Sequence, residues 1–460
     1  MKIAVLNGSP KGNTSITLQL INYIQKKIPG HEYKILNIAQ KIKKISKDIE
    51  VFDEIIDIVK SSDGVIWSFP LYVMNVCSQY QRFIGLIFER DVKNAFQNKY
   101  TAAVSTSINF YDNLAHNYIN AICDDLDMKY VGYFSAHMMD LFRKEITRKK
   151  LILFADNYFN AIKNSKPTIK NYRPIIYRNF DYCPDKPKMK IDTSSKKIII
   201  LTDSSDYNTN LGKMISRFNE TLSPKAETVN LYDIDIKGPC LECLRCGFDN
   251  ICSYYGKDGF MDFYNTKVKT ADIIIIAGNI TNRYLSSRWK LFLDRSFFNT
   301  HSPSLTGKQI GFIISGPLSQ IPSLRQTLEG WMEFQQSNTV AFVTDEFGNS
   351  KEIDCLLQSF AEDIVWFSNN NYIKPRTFLG IGGMKIFRDE IWGRLRLIFQ
   401  ADHRFYKENK FYDFPQKDLK SRLMNAFMIP FTKIPAARKK FPKVMKTMSI
   451  KRFKKIIEDK

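Results

Sequence analysis

The chain has 460 residues, too many for one ordinary core, so two domains plus an extension are expected. Hydrophobic residues make up 44% and charged residues 25%, the balance of a globular protein, and the longest apolar run, 273–277, is far too short to span a membrane. The net charge of +21 is unevenly spread: residues 416–460 carry fourteen Lys/Arg against three Asp/Glu, a net of +11.

In chain order, residues 2–6 read as an apolar strand rather than a signal peptide. The strand leads into the turn GSPKGNTS, and Ile16–Lys27 then has helical spacing. Further strands are expected at 31–36, 64–68, 101–106 and 130–134, with helical stretches between them. This alternation implies βαβ units and a parallel sheet covered on both faces. Residues 165–196 carry four prolines, many lysines and little periodicity, as a linker does.

The pattern then restarts. KKIIILTDSSDYNTNLGKMI echoes MKIAVLNGSPKGNTSITLQL, and 227–231, 272–277, 309–315 and 340–344 supply the remaining strands. The chain therefore reads as an α/β protein of two tandem, doubly wound, parallel five-stranded sheets with a basic C-terminal extension. The expected domains are 1–164 and 197–370, followed by an extension over 371–460. In the extension, 378–415 reads as packing over the second domain, or as a cover for a cleft using Arg388, Asp402 and His403. Pro430, Pro435 and Pro442 are expected to hold the basic tail to short helices.

The first turn follows a strand and opens a helix, where backbone N–H groups and the helix dipole favour an anion. Ser9, Lys11, Gly12, Asn13, Thr14 and Ser15 are its candidate contacts, although the same residues also suit a plain helix cap. Ligands of this architecture bind beyond the carboxyl ends of the strands. That adds Pro70, Leu71, Tyr72, Val73, Met74 and Asn75 after the third strand, and Ser105, Thr106 and Ser107 after the fourth. The corresponding turn of the second repeat, 202–210, lacks glycine and carries Asp203 and Asp206, which disfavours an anion there.

Cys240, Cys243, Cys246 and Cys252 form a C-x2-C-x2-C-x5-C run that no ordinary loop requires. Soft thiolates at this spacing point to an iron–sulfur cluster, with structural zinc as the rival and four unligated core cysteines as a third reading. With no export signal, these thiols belong in a reducing compartment, so the protein is expected to be cytoplasmic. No GxSxG elbow, HExxH, Walker lysine or Rossmann GxGxxG motif is present.

GSP-x-x-N-T after the first strand and P-L-Y after the third make the first domain resemble the flavodoxin-like NAD(P)H-dependent FMN reductase and iron–sulfur flavoprotein family. The resemblance implies FMN, with its phosphate in the first loop and its ring along the second. It also implies a [4Fe–4S] cluster on the cysteine run, with NAD(P)H or a ferredoxin-like protein as donor. The implied function is an FMN- and [4Fe–4S]-dependent oxidoreductase in which the first repeat keeps the flavin and the second the cluster. The alternatives are an electron carrier without turnover and a scaffold with structural zinc. No nucleic acid partner is expected. A homodimer, and contact of the basic tail with a membrane surface, complete the partner expectations.

Overall fold

A computed structural model of the protein describes residues 1–458. Two compact units are present, Met1–Phe405 and Tyr406–Lys460.

In the first unit, β1 (Lys2–Asn7), β2 (Glu32–Asn37), β3 (Gly64–Pro70), β4 (Tyr100–Ser107) and β5 (Lys129–His137) form one parallel sheet in the order β2-β1-β3-β4-β5. β3 is buried at all seven positions, as the central strand of a sheet covered on both faces must be. The register pairs Asn7 with Ser68 and Pro70 with Thr106, so the turns after β1, β3 and β4 emerge at one edge.

After the short β6 (Ile191–Asp192), the second sheet begins with β7 (Ile198–Thr202). A two-residue strand, β8 (Leu222–Ser223), pairs with β6 beside it. The sheet continues with β9 (Glu227–Asn230), β10 (Ile273–Thr281), β12 (Gln309–Ser315) and β13 (Asn338–Thr344). Its order, β13-β12-β10-β7-β9, repeats that of the first sheet, and β11 (Tyr284–Leu285) adds antiparallel to the end of β10. The four isoleucines 273–276 are buried because both faces of β10 are covered.

The helices that follow β3 and β10, Ser78–Glu89 and Ser287–Ser296, pack against each other. Equivalent elements of the two repeats thus face one another, the arrangement of a two-fold dimer within one chain. Arg283 fastens the joint with two bonds to Asp125, 2.6 and 2.7 Å, its side chain only 3% exposed. The segment 165–196 is tied to both repeats. The amides of Asn171 and Tyr172 donate to Asp124, and the buried Tyr182 donates to Asp354 at 2.5 Å.

Helix Phe378–Trp392 packs on helix Pro322–Phe334 of the second repeat and also on Phe110 of the first, Phe387 lying 4.6 Å from that ring. It therefore covers both repeats, not the second alone. The tail corrects another expectation: in the second unit, helix Leu419–Phe431 contains Pro430, and helix Pro435–Glu458 runs 24 residues through Pro442. Pro435 stands at the helix start, where no N–H is required. Pro442 removes one backbone bond, and the helix continues past it.

Candidate functional site

Asn7 at the end of β1 organises the first turn. Its Nδ2 donates to the Gly12 carbonyl at 3.0 Å and its Oδ1 accepts from the Ser9 amide at 3.2 Å. Gly12 sits at φ +55°, where a side chain would strike Gln40. The amides of Gly12, Thr14 and Ser15 close onto carbonyls within the turn, and the Ser15 hydroxyl caps the helix by accepting from Leu18 at 3.4 Å. Asn13 bonds Asn37, and the Thr14 hydroxyl donates to the Lys11 carbonyl. The capping role is thus fulfilled, and the Ser9 hydroxyl and Lys11 ammonium reach beyond the turn.

What they meet is Glu242, from between the first two cysteines of the other repeat. Lys11 Nζ lies 3.2 Å from one carboxylate oxygen, and the Ser9 hydroxyl donates to the other at 3.4 Å. Burial raises the Glu242 pKa, and Lys11 opposes the rise. The first turn is complementary to an anion, and the anion it holds is supplied by the chain itself.

After β3, Tyr72 and Asn75 exchange backbone bonds of 2.7 and 3.1 Å across a tight turn. Val73 and Met74 carry φ of 41° and 63°, and for β-branched Val73 this is strained backbone of the kind that clusters at ligand clamps. Pro70 ends the strand, and the Leu71 amide holds the Thr106 carbonyl at 3.0 Å. The loop is fixed from across the joint. The buried Lys290 pairs with Asp294 and donates to the Tyr72 carbonyl at 2.9 Å, and Asp294 accepts from the Ser78 amide at 2.6 Å.

Ser105, Thr106 and Ser107 are the last residues of β4 rather than a loop beyond it, and the first two hydroxyls turn inward. Ser105 bonds His116 at 2.7 Å, and Thr106 bonds Thr17 at 2.6 Å, both buried. Ser107 accepts from the Asn109 amide and stays at the surface of the edge. The structure thus gives Ser105 and Thr106 interior partners, where the sequence suggested ligand contacts.

The cysteine loop packs against this edge. Positive φ at Glu242, Leu244 and Asn250 folds it back on itself, so Cys240, Cys243, Cys246 and Cys252 line one hollow together with Tyr72 and Phe297. At its start, buried Arg295 holds the Gly238 carbonyl at 2.8 Å and Asp258 at 2.7 and 2.9 Å. At its end, Asn250 donates to the Phe298 carbonyl. A side chain at Gly247 would collide with the Ile398 carbonyl.

The Tyr72 hydroxyl lies 2.6 Å from Cys240 Sγ, its ring 5.4 Å from Phe297, and Gln79 donates to the Cys240 carbonyl at 2.9 Å. Burial pushes the Cys240 thiol up to about 12. It raises Cys246 too, with Cys240, Cys252 and Cys243 adding to the rise. Arg295, the buried cation nearby, is already engaged by Asp258. Thiolates are soft donors of the kind that suit a thiophilic metal centre, yet among the described residues no group of three or more His, Cys, Asp or Glu side chains is placed to hold a metal ion.

The second repeat's turn is filled differently. Asp203 is half-buried against the Ser286 hydroxyl with its pKa raised by desolvation, an environment hostile to a further anion. Sequence reasoning missed two features. Glu242 was hidden among ligand spacings, its one signal being a carboxylate between closely spaced cysteines. His301 looked like any scattered histidine. In the fold it bonds the fully buried Asp402 at 2.8 Å and lies 5.2 Å from Phe297, beside the cysteine hollow. Of the other polar residues named for a cover, Arg388 is buried on Asp389, and His403 lies 6.3 Å from Trp392.

A family model described as NADPH-dependent FMN reductase matches the chain twice, over residues 1–138 and 196–348. Among solved structures, similarity extends to the apo form of the NADH:FMN oxidoreductase EMOB, at 16% identity over 38% of this chain and 97% of that one, TM-score 0.31. It extends also to the NAD(P)H:acceptor oxidoreductase FerB from Paracoccus denitrificans, at 19% identity over 35% and 97% of the two chains, TM-score 0.30. General stress protein 14 of Treponema denticola, solved with FMN, shares 12% identity over 36% and 99%, TM-score 0.27. Among curated proteins, none matches.

Proposed function

The chain belongs to the NADPH-dependent FMN reductase family, and within its NAD(P)H-dependent FMN oxidoreductase activity we propose a two-centre electron path: FMN on the first repeat, a [4Fe–4S] cluster on the second. The observation that carries this is the meeting of the two loops. Tyr72, from the segment that resembles the flavin loop, touches Cys240 of the thiol set.

Ser9 and Lys11 would hold the FMN phosphate once Glu242 yields its place, and Cys240, Cys243, Cys246 and Cys252 would ligate the cluster. When bound, FMN takes a hydride and the cluster exchanges single electrons. The chain's own residues set the stage. Lys290 and Asp294 lock the loop carrying Tyr72, and the Tyr72 hydroxyl orients Cys240 through its bond to sulfur. Arg295 and Asn250 clamp the two ends of the cysteine loop. A reducing, cytoplasmic setting accompanies this reading, because only free thiolates ligate a cluster. Ferredoxin-like donors and acceptors suit it as well.

Substituting Cys246→Ser in the intact protein tests the division of labour. The expected variant loses iron and sulfide yet keeps FMN and its reduction by NAD(P)H. Loss of flavin along with iron would contradict separate sites, and unchanged iron would remove Cys246 from the ligand set.

A further inference from the structure

From Leu419 to Glu458, no described side chain is buried, and only Ser421, Thr432 and Ala437 are even half-covered. Yet the segment is rich in large apolar residues. On helix Leu419–Phe431, Leu419, Leu423, Phe427 and Phe431 recur every fourth residue, at 64%, 72%, 68% and 46% exposure. At 100° per residue they lie along one side, with Lys420 among them, and Ser421, Arg422 and Asn425 fall on the other beside the exposed Ile429. On helix Pro435–Glu458, Phe441, Val444, Met445 and Met448 follow the i, i+3, i+4, i+7 spacing, all exposed, with Lys439 and the exposed Ile450 opposite them. A stripe this long, left in water on two successive helices, marks an interaction surface.

Its charge selects the partner. The same segment, 416–460, carries the net +11, with Lys420, Arg422, Lys433, Arg438, Lys439 and Lys440 all exposed. Nucleic acid would satisfy the charges and leave the leucines and phenylalanines in water. An anionic bilayer satisfies both, as the acyl boundary takes the stripe and the headgroup phosphates take the lysines and arginines. Among the described residues, no helix is long and apolar enough to cross a membrane, so the contact is with the surface.

We propose that helices Leu419–Phe431 and Pro435–Glu458 dock this oxidoreductase onto anionic lipid, lying in the plane of the bilayer interface.

Co-sedimentation of the full chain with vesicles tests it, comparing phosphatidylcholine alone with phosphatidylcholine plus phosphatidylglycerol. Binding is expected only to the mixed vesicles, and it should weaken as salt rises. Neutralising Arg438→Ser, Lys439→Ser and Lys440→Ser together should weaken it on the order of a hundredfold. The pair Leu423→Asp and Phe427→Asp should abolish it, with unchanged circular dichroism showing that the fold persists. Three results would overturn the proposal: no binding to the mixed vesicles, equal binding to both kinds, or self-association through the stripe in place of vesicle binding.

Discussion

Glu242 is the residue on which occupancy of the first turn depends. Its carboxylate holds Ser9 and Lys11, the two side chains left for an anion once the turn's own hydrogen bonds are made. A phosphate must displace it, so Glu242→Gln should tighten FMN binding about tenfold, and Lys11→Ala should loosen it about tenfold, each near 1.4 kcal/mol. Quenching of flavin fluorescence on titration measures both. Unchanged affinity in the glutamine variant would show that the carboxylate and the phosphate do not compete.

His116 offers a second test at this scale. Buried beneath Tyr133 and bonded to Ser105, it has its pKa lowered to about 3 by desolvation, from an ordinary value of 6.5. Below pH 6.5 the unfolded chain binds a proton that the folded chain excludes, so its contribution to stability is complete above 6.5 and declines towards pH 3. The slope is about 1.4 kcal/mol per pH unit. Urea midpoints at pH 7 and 5 should fall less for His116→Phe than for the unaltered chain; parallel falls would mean the histidine is protonated when folded.

At the scale of elements, the joint between helices Ser78–Glu89 and Ser287–Ser296 brings the two loops together. Arg283 and Asp125 secure that joint from within. Arg283→Ala strands a largely buried carboxylate and should cost about 3–5 kcal/mol in urea unfolding, with the slope against denaturant unchanged. A loss below about 1 kcal/mol would mean the pair is incidental to the joint.

The elements themselves were largely legible in the sequence. Residues 309–315 were placed to the residue because the apolar stretch Ile310–Ile314 is bracketed by Gln309 and by Ser315 and Gly316, and the other sheet strands shifted by only a few positions at their ends. Helix Pro435–Glu458 was not legible, since proline content argues against a helix that an early proline does not stop.

At the scale of the whole molecule, the duplication was readable from the echo of residues 1–20 in 196–215, and so was the separation of flavin turn from cysteines. The contacts that join the two loops were not. Ser9 meets Glu242 across 233 residues and Tyr72 meets Cys240 across 168, and neither pairing leaves a periodicity in the chain. Ser105 and Thr106 show the opposite limit. Their types suit a ligand, and only the fold reveals that His116 and Thr17 already hold them.

The proposed pairing of a flavin with an iron–sulfur centre on one chain has a direct test. An anaerobic absorption spectrum of the intact protein, with metal and acid-labile sulfide analysis of the same sample, tests it directly. Flavin bands above a broad iron–sulfur shoulder are expected, with about four irons and four sulfides per chain. A sample holding stoichiometric zinc and no iron would contradict it.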